Sequence, residues 1–152
     1  MRYTDEQLDE IDRLVAGHVM GWELHSSDFY TWKRPDGSGV ESDYWKPTRS
    51  GDSMLEVEER VSLLANYAGK IVVHRDENGV RGVCLKEKYV CALMQIVGIR
   101  DVEITCMGEN NWIGHRFRSD ELWALIHATP VQRCLAALAA VGKPWKPTEK
   151  SA

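Results

Sequence analysis

No apolar run in this chain approaches the roughly 20 residues that a helix needs to span a bilayer. Positive charge is also short: 19 Lys and Arg stand against 23 Asp and Glu, a formal net charge of −4. A general nucleic-acid coat needs a basic surface to displace counterions, so that class is excluded, although a local basic pocket is still open. The early residues are acidic (Asp5, Glu6, Asp9, Glu10, Asp12) and read as neither a signal nor a transit peptide. The four cysteines, Cys84, Cys91, Cys106 and Cys134, lack Cys-x-x-Cys spacing and sit among apolar neighbours. Reduced, buried thiols in a cytosolic protein are the expectation. A zinc site from Cys84, Cys91 and a distant histidine has no spacing in its favour. There is no Walker loop, no Gly-x-Gly-x-x-Gly, no nucleophile elbow, no His-x-x-x-His and no paired-acid spacing. No catalytic set, metal or cofactor is therefore expected.

What is present is the material of one domain. At 152 residues the chain can bury a real core, and its 43% hydrophobic and 28% charged residues are ordinary for a soluble protein. Residues 1–143 read as that domain and 144–152 as a loose, flexible tail, with no internal repeat. The clearest element runs from Thr129, a good N-cap, through Pro130 at the first helical position, to Gly142 and Pro144, which end it. Val131, Cys134, Leu135, Leu138 and Val141 form its apolar stripe, and Ala136, Ala137, Ala139 and Ala140 permit close approach. This helix is expected to lie on a sheet.

Near the start, Thr4-Asp5-Glu6-Gln7 reads as a capping box. Leu8, Ile11, Leu14, Val15, His18 and Val19 make one face, and Asp9, Glu10, Asp12 and Arg13 the opposite one. The helix should end near Gly21, with Trp22 folded back onto the core. Residues 29–33 have strand propensity, Arg34-Pro35-Asp36-Gly37 reads as a turn, and 38–44 as a polar loop. A second helix over about 53–67, capped by Ser50 or Asp52, should bury Met54, Val57, Val61, Leu64, Ala65 and Ala68. Glu56, Glu58 and Glu59 then face solvent. Strands at 70–75 and 80–86 flank an Asn78-Gly79 hairpin. Residues 87–97 are apolar enough for a buried strand, but Val90, Leu93, Met94 and Val97 lean to a helix. Strands follow at 101–107 and 112–118, then a short capped turn holding Leu122, Trp123 and Ile126. This order predicts an α/β (α+β) fold: a three-layer α/β/α sandwich with a largely antiparallel sheet.

Several of these residues together resemble the phage ABA-sandwich domain family. They are Leu14-Val15-Ala16 with Val19-Met20-Gly21-Trp22, a later tryptophan (Trp32 or Trp45), and Pro47-Thr48-Arg49-Ser50-Gly51-Asp52 before the second helix. Thr129-Pro130 with Arg133-Cys134-Leu135-Ala136-Ala137-Leu138 is similar to that family's closing helix. The likeness covers about 5–66 and 102–142, and 87–101 look like an insertion. It implies a sandwich encoded by a bacteriophage or prophage and a host-facing role in the cytoplasm of an infected bacterium. It carries over no catalytic residue.

Six tryptophans is a high count for this length. Trp22, Trp112 and Trp123 adjoin apolar stripes and should pack in the core. Trp32 and Trp45 lie in polar, glycine- and proline-rich sequence; burial is the better expectation for at least one. If exposed they are stacking platforms or partner contacts. Thr48, Arg49 and Ser50 before a helix would suit a phosphate, although helix capping alone explains them. Arg116 and Arg118 alternate with His115 and could face one ligand together, although a solvated sheet edge is the commoner explanation. These features suggest a non-catalytic binding protein for a small anionic ligand, such as a nucleotide signal of host defence. One alternative is an interaction module that presents Trp32, Tyr44 and Trp45 to a host or phage protein. Another is a small phosphoesterase using His115 or His74. Sheet edges leave a homo-oligomer open.

Overall fold

The computed structural model describes residues 2–26, 31–62, 71–76, 79–82, 85–99, 104–107, 112–115 and 119–147. Helix α1, Asp5–Leu14, begins as the capping box requires: Thr4 Oγ1 accepts from the Gln7 amide at 3.2 Å, and Gln7 Oε1 accepts from the Thr4 amide at 2.9 Å. It runs directly into a wide π-helical turn, Val15–Val19. This turn keeps Val15, Ala16, Val19 and Met20 all buried. Gly21 ends it at φ +70, a conformation that strains any residue with a Cβ. The Trp22 amide donates back to the Ala16 carbonyl at 3.0 Å, and the indole is buried, as expected.

Strands β1 (Glu23–Ser26), β2 (Thr31–Lys33) and β3 (Gly39–Glu41) form an antiparallel sheet in that order. Trp32 stands between Leu24 and Val40 in register. The turn between β2 and β3 is the one read from the sequence, with Gly37 at φ +89 and its amide donating to the Arg34 carbonyl. The polar loop expected over 38–44 is corrected: Gly39–Glu41 pairs with β2, because that turn delivers the chain antiparallel to the strand it has just left. Helix α2, Gly51–Ser62, starts two residues before the expected point and buries Met54, Val57 and Val61. Leu64, Ala65 and Ala68 lie outside the described residues.

Strands β4 (Ile71–Asp76) and β5 (Gly79–Gly82) pair as the expected hairpin, but Leu85 and Lys86, expected to continue the second strand, open a helix instead. The chain continues through α3 (Leu85–Ile96), β6 (Ile104–Met107), β7 (Trp112–His115), α4 (Ser119–Ile126) and α5 (Pro130–Ala140). Residues 87–96 of the ambiguous stretch are thus helical, and Tyr89, Leu93 and Met94 bury one face. The second sheet has the order β5-β4-β7-β6, every pair antiparallel. Among the described residues the fold is α+β with two antiparallel sheets.

Helix α5 carries the predicted Thr129 cap and Pro130, and Gly142 follows it at φ +78. Its surroundings differ from the expectation. Among the described residues it packs chiefly on α3, α2, α1 and the π turn, not on a sheet. Cys134, Ala136, Ala137, Leu138 and Ala140 are all buried, so more than one stripe is covered. Alanine is the physical reason: a methyl-lined surface lets neighbouring helix backbones come close on several sides. The core is therefore a helix cluster around α5, with Ile11, Val15, Val57, Val61 and Leu138 at its centre. The loose tail expected from Pro144 is held at Trp145, whose ring lies 5.9 Å from Tyr3 and whose Nε1 donates to Glu10 at 3.2 Å.

Candidate functional site

A buried carboxylate joins the first helix to the segment before α2. Asp12 is 7% exposed, although the helical pattern assigned it to the outer face. Its Oδ1 accepts from the Thr48 amide at 2.8 Å and its Oδ2 from Thr48 Oγ1 at 3.0 Å. Arg49 donates from one terminal nitrogen to Asp9 at 2.8 Å and from the other to the Asp5 carbonyl at 3.0 Å. Lys46 adds an ion pair to Asp9 at 3.7 Å. Thr48 therefore gives both its donors to α1, and Arg49 bonds α1 through both terminal nitrogens. The Ser50 hydroxyl accepts from the Ser53 amide at 3.4 Å, as a cap does. Ser50 thus serves as the cap weighed for this stretch in the sequence, and Thr48 and Arg49 make the segment a clasp between two parts of the fold.

The two acids of the clasp titrate in opposite directions. Burial pushes Asp12 above its ordinary 3.8, against the pull of the Thr48 hydrogen bonds and the Arg49 charge. Burial also acts on Asp9, but there the Arg49 and Lys46 contacts outweigh it and hold the carboxyl below 3.8. A raised folded-state value means that Asp12 contributes stability below 3.8 and loses it as pH rises through the raised value. An Asp12→Asn variant, which cannot ionise, is thus expected to gain on wild type between about pH 4 and about pH 7 in urea unfolding. A difference that stays flat, or moves towards wild type, contradicts the desolvation account. Asp12→Ala, which orphans the Thr48 amide, is expected to cost about 1–3 kcal/mol at neutral pH.

Behind the clasp lies an aromatic tie. Trp22 and Trp45 rings are 4.6 Å apart at 54°, and the Arg34 guanidinium sits 5.2 Å over Trp22. Trp45 Nε1 donates to Glu56 at 2.6 Å, and Arg34 reaches the other Glu56 oxygen at 3.4 Å. Trp32 and Trp45 are both buried, 7% and 5% exposed, so neither is a free stacking platform. Tyr44 is the exception, 82% exposed. The solvated role expected for Glu56 and Glu58 is also corrected. Glu56 satisfies an indole N–H, and Glu58 accepts from Arg133 and from the Tyr89 hydroxyl.

Between α1 and the residues after β3 these contacts leave a cavity of about 320 Å³. Trp32 and Trp45 contribute its indole surface. Glu6, Asp9, Asp12 and Asp43 line it with carboxylates, against Arg13 and Lys46. Lys46 is paired with Asp9, whereas Glu6, Arg13 and Asp43 hold no hydrogen bond or ion pair among the described residues. The electrostatic balance of the cleft is therefore negative, which disfavours a phosphate and favours a cation.

Comparison with protein-family models, with curated proteins and with solved structures found no match.

His115 ends β7, where it pairs with Ile71 and with Ile104. Arg116 and Arg118 lie outside the described residues, as does the Trp112 side chain. His74 pairs with Trp112 at the far end of the β4–β7 ladder from His115, so the register does not bring the two histidines together. Trp123, expected in the core, is 66% exposed. Its helix buries Glu121 and half-buries Ala124 and Leu125, and that phase turns Trp123 outward. The sequence reading missed Glu6, Asp9, Asp12, Arg13, Asp43 and Lys46. A usable signal was there: Asp5, Asp9 and Asp12 recur at one-turn spacing beside the Ile11–Val15 stripe, where a carboxylate is drawn towards the interior.

Proposed function

We propose that this protein is a non-catalytic binding protein, made by a phage and acting inside an infected bacterium, that holds a small ligand in the cleft between α1 and the residues after β3. The observation that carries the reading is the pairing of indole surface with a carboxylate majority in one cavity of about 320 Å³. Aromatic rings and carboxylates together suit a positive nitrogen group, such as an amine or guanidinium. The anionic, nucleotide-like ligand suggested by the sequence would meet four acidic side chains in this cleft, and Thr48 already gives both its donors to Asp12. The phage origin and the three-layer α/β/α sandwich rest on the resemblance of residues 5–66 and 102–142. No helix among the described residues is long and apolar enough to cross a membrane.

The test is titration calorimetry of the purified protein against a panel of amines, guanidines and nucleotides, followed by denaturation and analysis of the released ligand. A cationic compound recovered unaltered is the expected result. Asp43→Lys should weaken it about tenfold or more, roughly 1.4 kcal/mol, with the fold unchanged by circular dichroism. Retention of nothing in the panel, retention of a nucleotide alone, or release of a chemically changed compound overturns the reading.

A second reading, a protein-interaction module, is favoured by one observation. Tyr44 and Leu55, 82% and 56% exposed, line a shallower depression of about 400 Å³ with Asp52, Glu56 and Arg34. A partner captured by wild type and lost in Tyr44→Ala would support it.

A further inference from the structure

Three charged side chains in the cleft between α1 and the residues after β3 are uncommitted. Glu6, Arg13 and Asp43 line it and hold no hydrogen bond or ion pair among the described residues. The other charges there are engaged. Asp9 pairs with Arg49 at 2.8 Å and with Lys46 at 3.7 Å, and Asp12 accepts from Thr48 through both carboxylate oxygens. On α1, Glu6, Asp9 and Arg13 stand at i, i+3 and i+7, so they share one side of the helix. A rise of about 1.5 Å per residue sets the backbones of Glu6 and Arg13 roughly 10 Å apart along that wall. The neutralised Asp9 lies between them.

We infer, building on the reading of this cleft as a cation site, that its ligand is a free basic amino acid, with two positive nitrogen groups and one carboxylate. Charge complementarity selects that pattern. The uncommitted lining is two carboxylates and one guanidinium, and each meets its opposite in such a molecule. A plain diamine would satisfy Glu6 and Asp43 but set a like charge against Arg13. The planar fork of Arg13 offers a carboxylate two parallel N–H donors. The indoles of Trp32 and Trp45 supply the surface on which a guanidinium or an alkylammonium lies. Size agrees. A cavity of about 320 Å³ is at the lower end of the range for small-molecule sites, about 300–1,000 Å³, which favours one amino acid over a peptide. Spacing agrees too. A positive group at the end of a long side chain can reach Glu6 while the carboxylate is held at Arg13, and the α-ammonium is left for Asp43 on the facing wall. A short side chain holds its charges too close together to do this.

Titration calorimetry on the full chain tests this with L-arginine against agmatine and L-lysine against cadaverine, pairs that differ by the carboxylate alone. In at least one pair the amino acid should bind about fivefold tighter, the upper end for a solvent-exposed ion pair because this one is bidentate. Arg13→Gln should remove that preference, while the diamine, relieved of a like charge, binds no more weakly. A merely structural role for Arg13 would weaken both compounds alike. Arg13 is exposed, and retained diamine binding reports an intact cleft in the variant. Equal or weaker binding of both amino acids by the wild type overturns the inference and leaves the cation site standing. So does a preference that survives in Arg13→Gln, or loss of both compounds from a variant whose circular dichroism is unchanged. If the wild type retains no amine or guanidine of any kind, the cation reading of the cleft falls with it.

Discussion

Leu138→Ala is expected to lower the unfolding free energy by about 3–5 kcal/mol, the upper part of the range for buried leucine truncations. Leu138 has no exposed surface and lies on α5 among α1, the π turn, α2 and α3. The cost of such a change depends on whether the surroundings can close the gap. Here the neighbours on α5 are alanines that already allow the helices to approach closely, and methyl groups cannot reach inward to fill a void. Urea unfolding should show a lower midpoint at an unchanged slope. A loss below about 1 kcal/mol would mean that α5 resettles and that the packing is looser than its burial suggests.

The second large effect is expected at Arg133. Its Nε donates to the Ala128 carbonyl at 3.0 Å, and one terminal nitrogen donates to the carbonyls of Leu125 and Ile126 at 3.0 and 2.9 Å. The other donates to Glu58 at 2.5 Å, and the same Glu58 oxygen accepts from the Tyr89 hydroxyl at 3.1 Å. One guanidinium thus closes the carbonyl end of α4 and ties α5 to α2 and, through Tyr89, to α3. Burial alone would ease its proton off, but Glu58 more than compensates and holds the Arg133 guanidinium above its ordinary value. Burial first, and the Glu58 charge second, push the Tyr89 hydroxyl well above its usual range, so it remains a donor. Arg133→Met is expected to cost about 2–4 kcal/mol, short of a fully buried pair because both partners keep some solvent contact. In a double-mutant cycle with Glu58→Gln, the coupling should be about 1–3 kcal/mol. Additive single effects would mean that the helix carbonyls, not the ion pair, hold Arg133 in place.

The parts of this fold that were legible in the sequence are those decided within a few residues. Thr4 with Gln7, Thr129 with Gln132, the turn at Gly37 and the stop at Gly21 each depend on neighbours one turn away. The parts that were not legible depend on distant partners. Asp12 looks like a surface acid until Thr48 is brought to it. Glu58 looks solvated until Arg133 arrives from the other end of the chain. By residue type the Thr48-Arg49-Ser50 segment suits a helix cap or an anion equally; the Asp12 and Asp9 contacts that make it a clasp come from α1, far earlier in the chain. For α5, the apolar stripe announced burial, but an alanine-rich surface serves a helix as well as a sheet, so the stripe could not name its neighbour.

The wide turn at Val15–Val19 has a consequence for the whole molecule. A π turn takes up one residue more than an α turn, about 100° of winding. It works as a phase adjuster between two otherwise independent rotations. The incoming helix is set by the Asp12 clasp, and the outgoing chain is set by the Trp22–Trp45 contact. The number of residues separating clasp from indole is therefore fixed by angle rather than by distance. Chain length in this segment is as much a part of the fold's specification as residue identity.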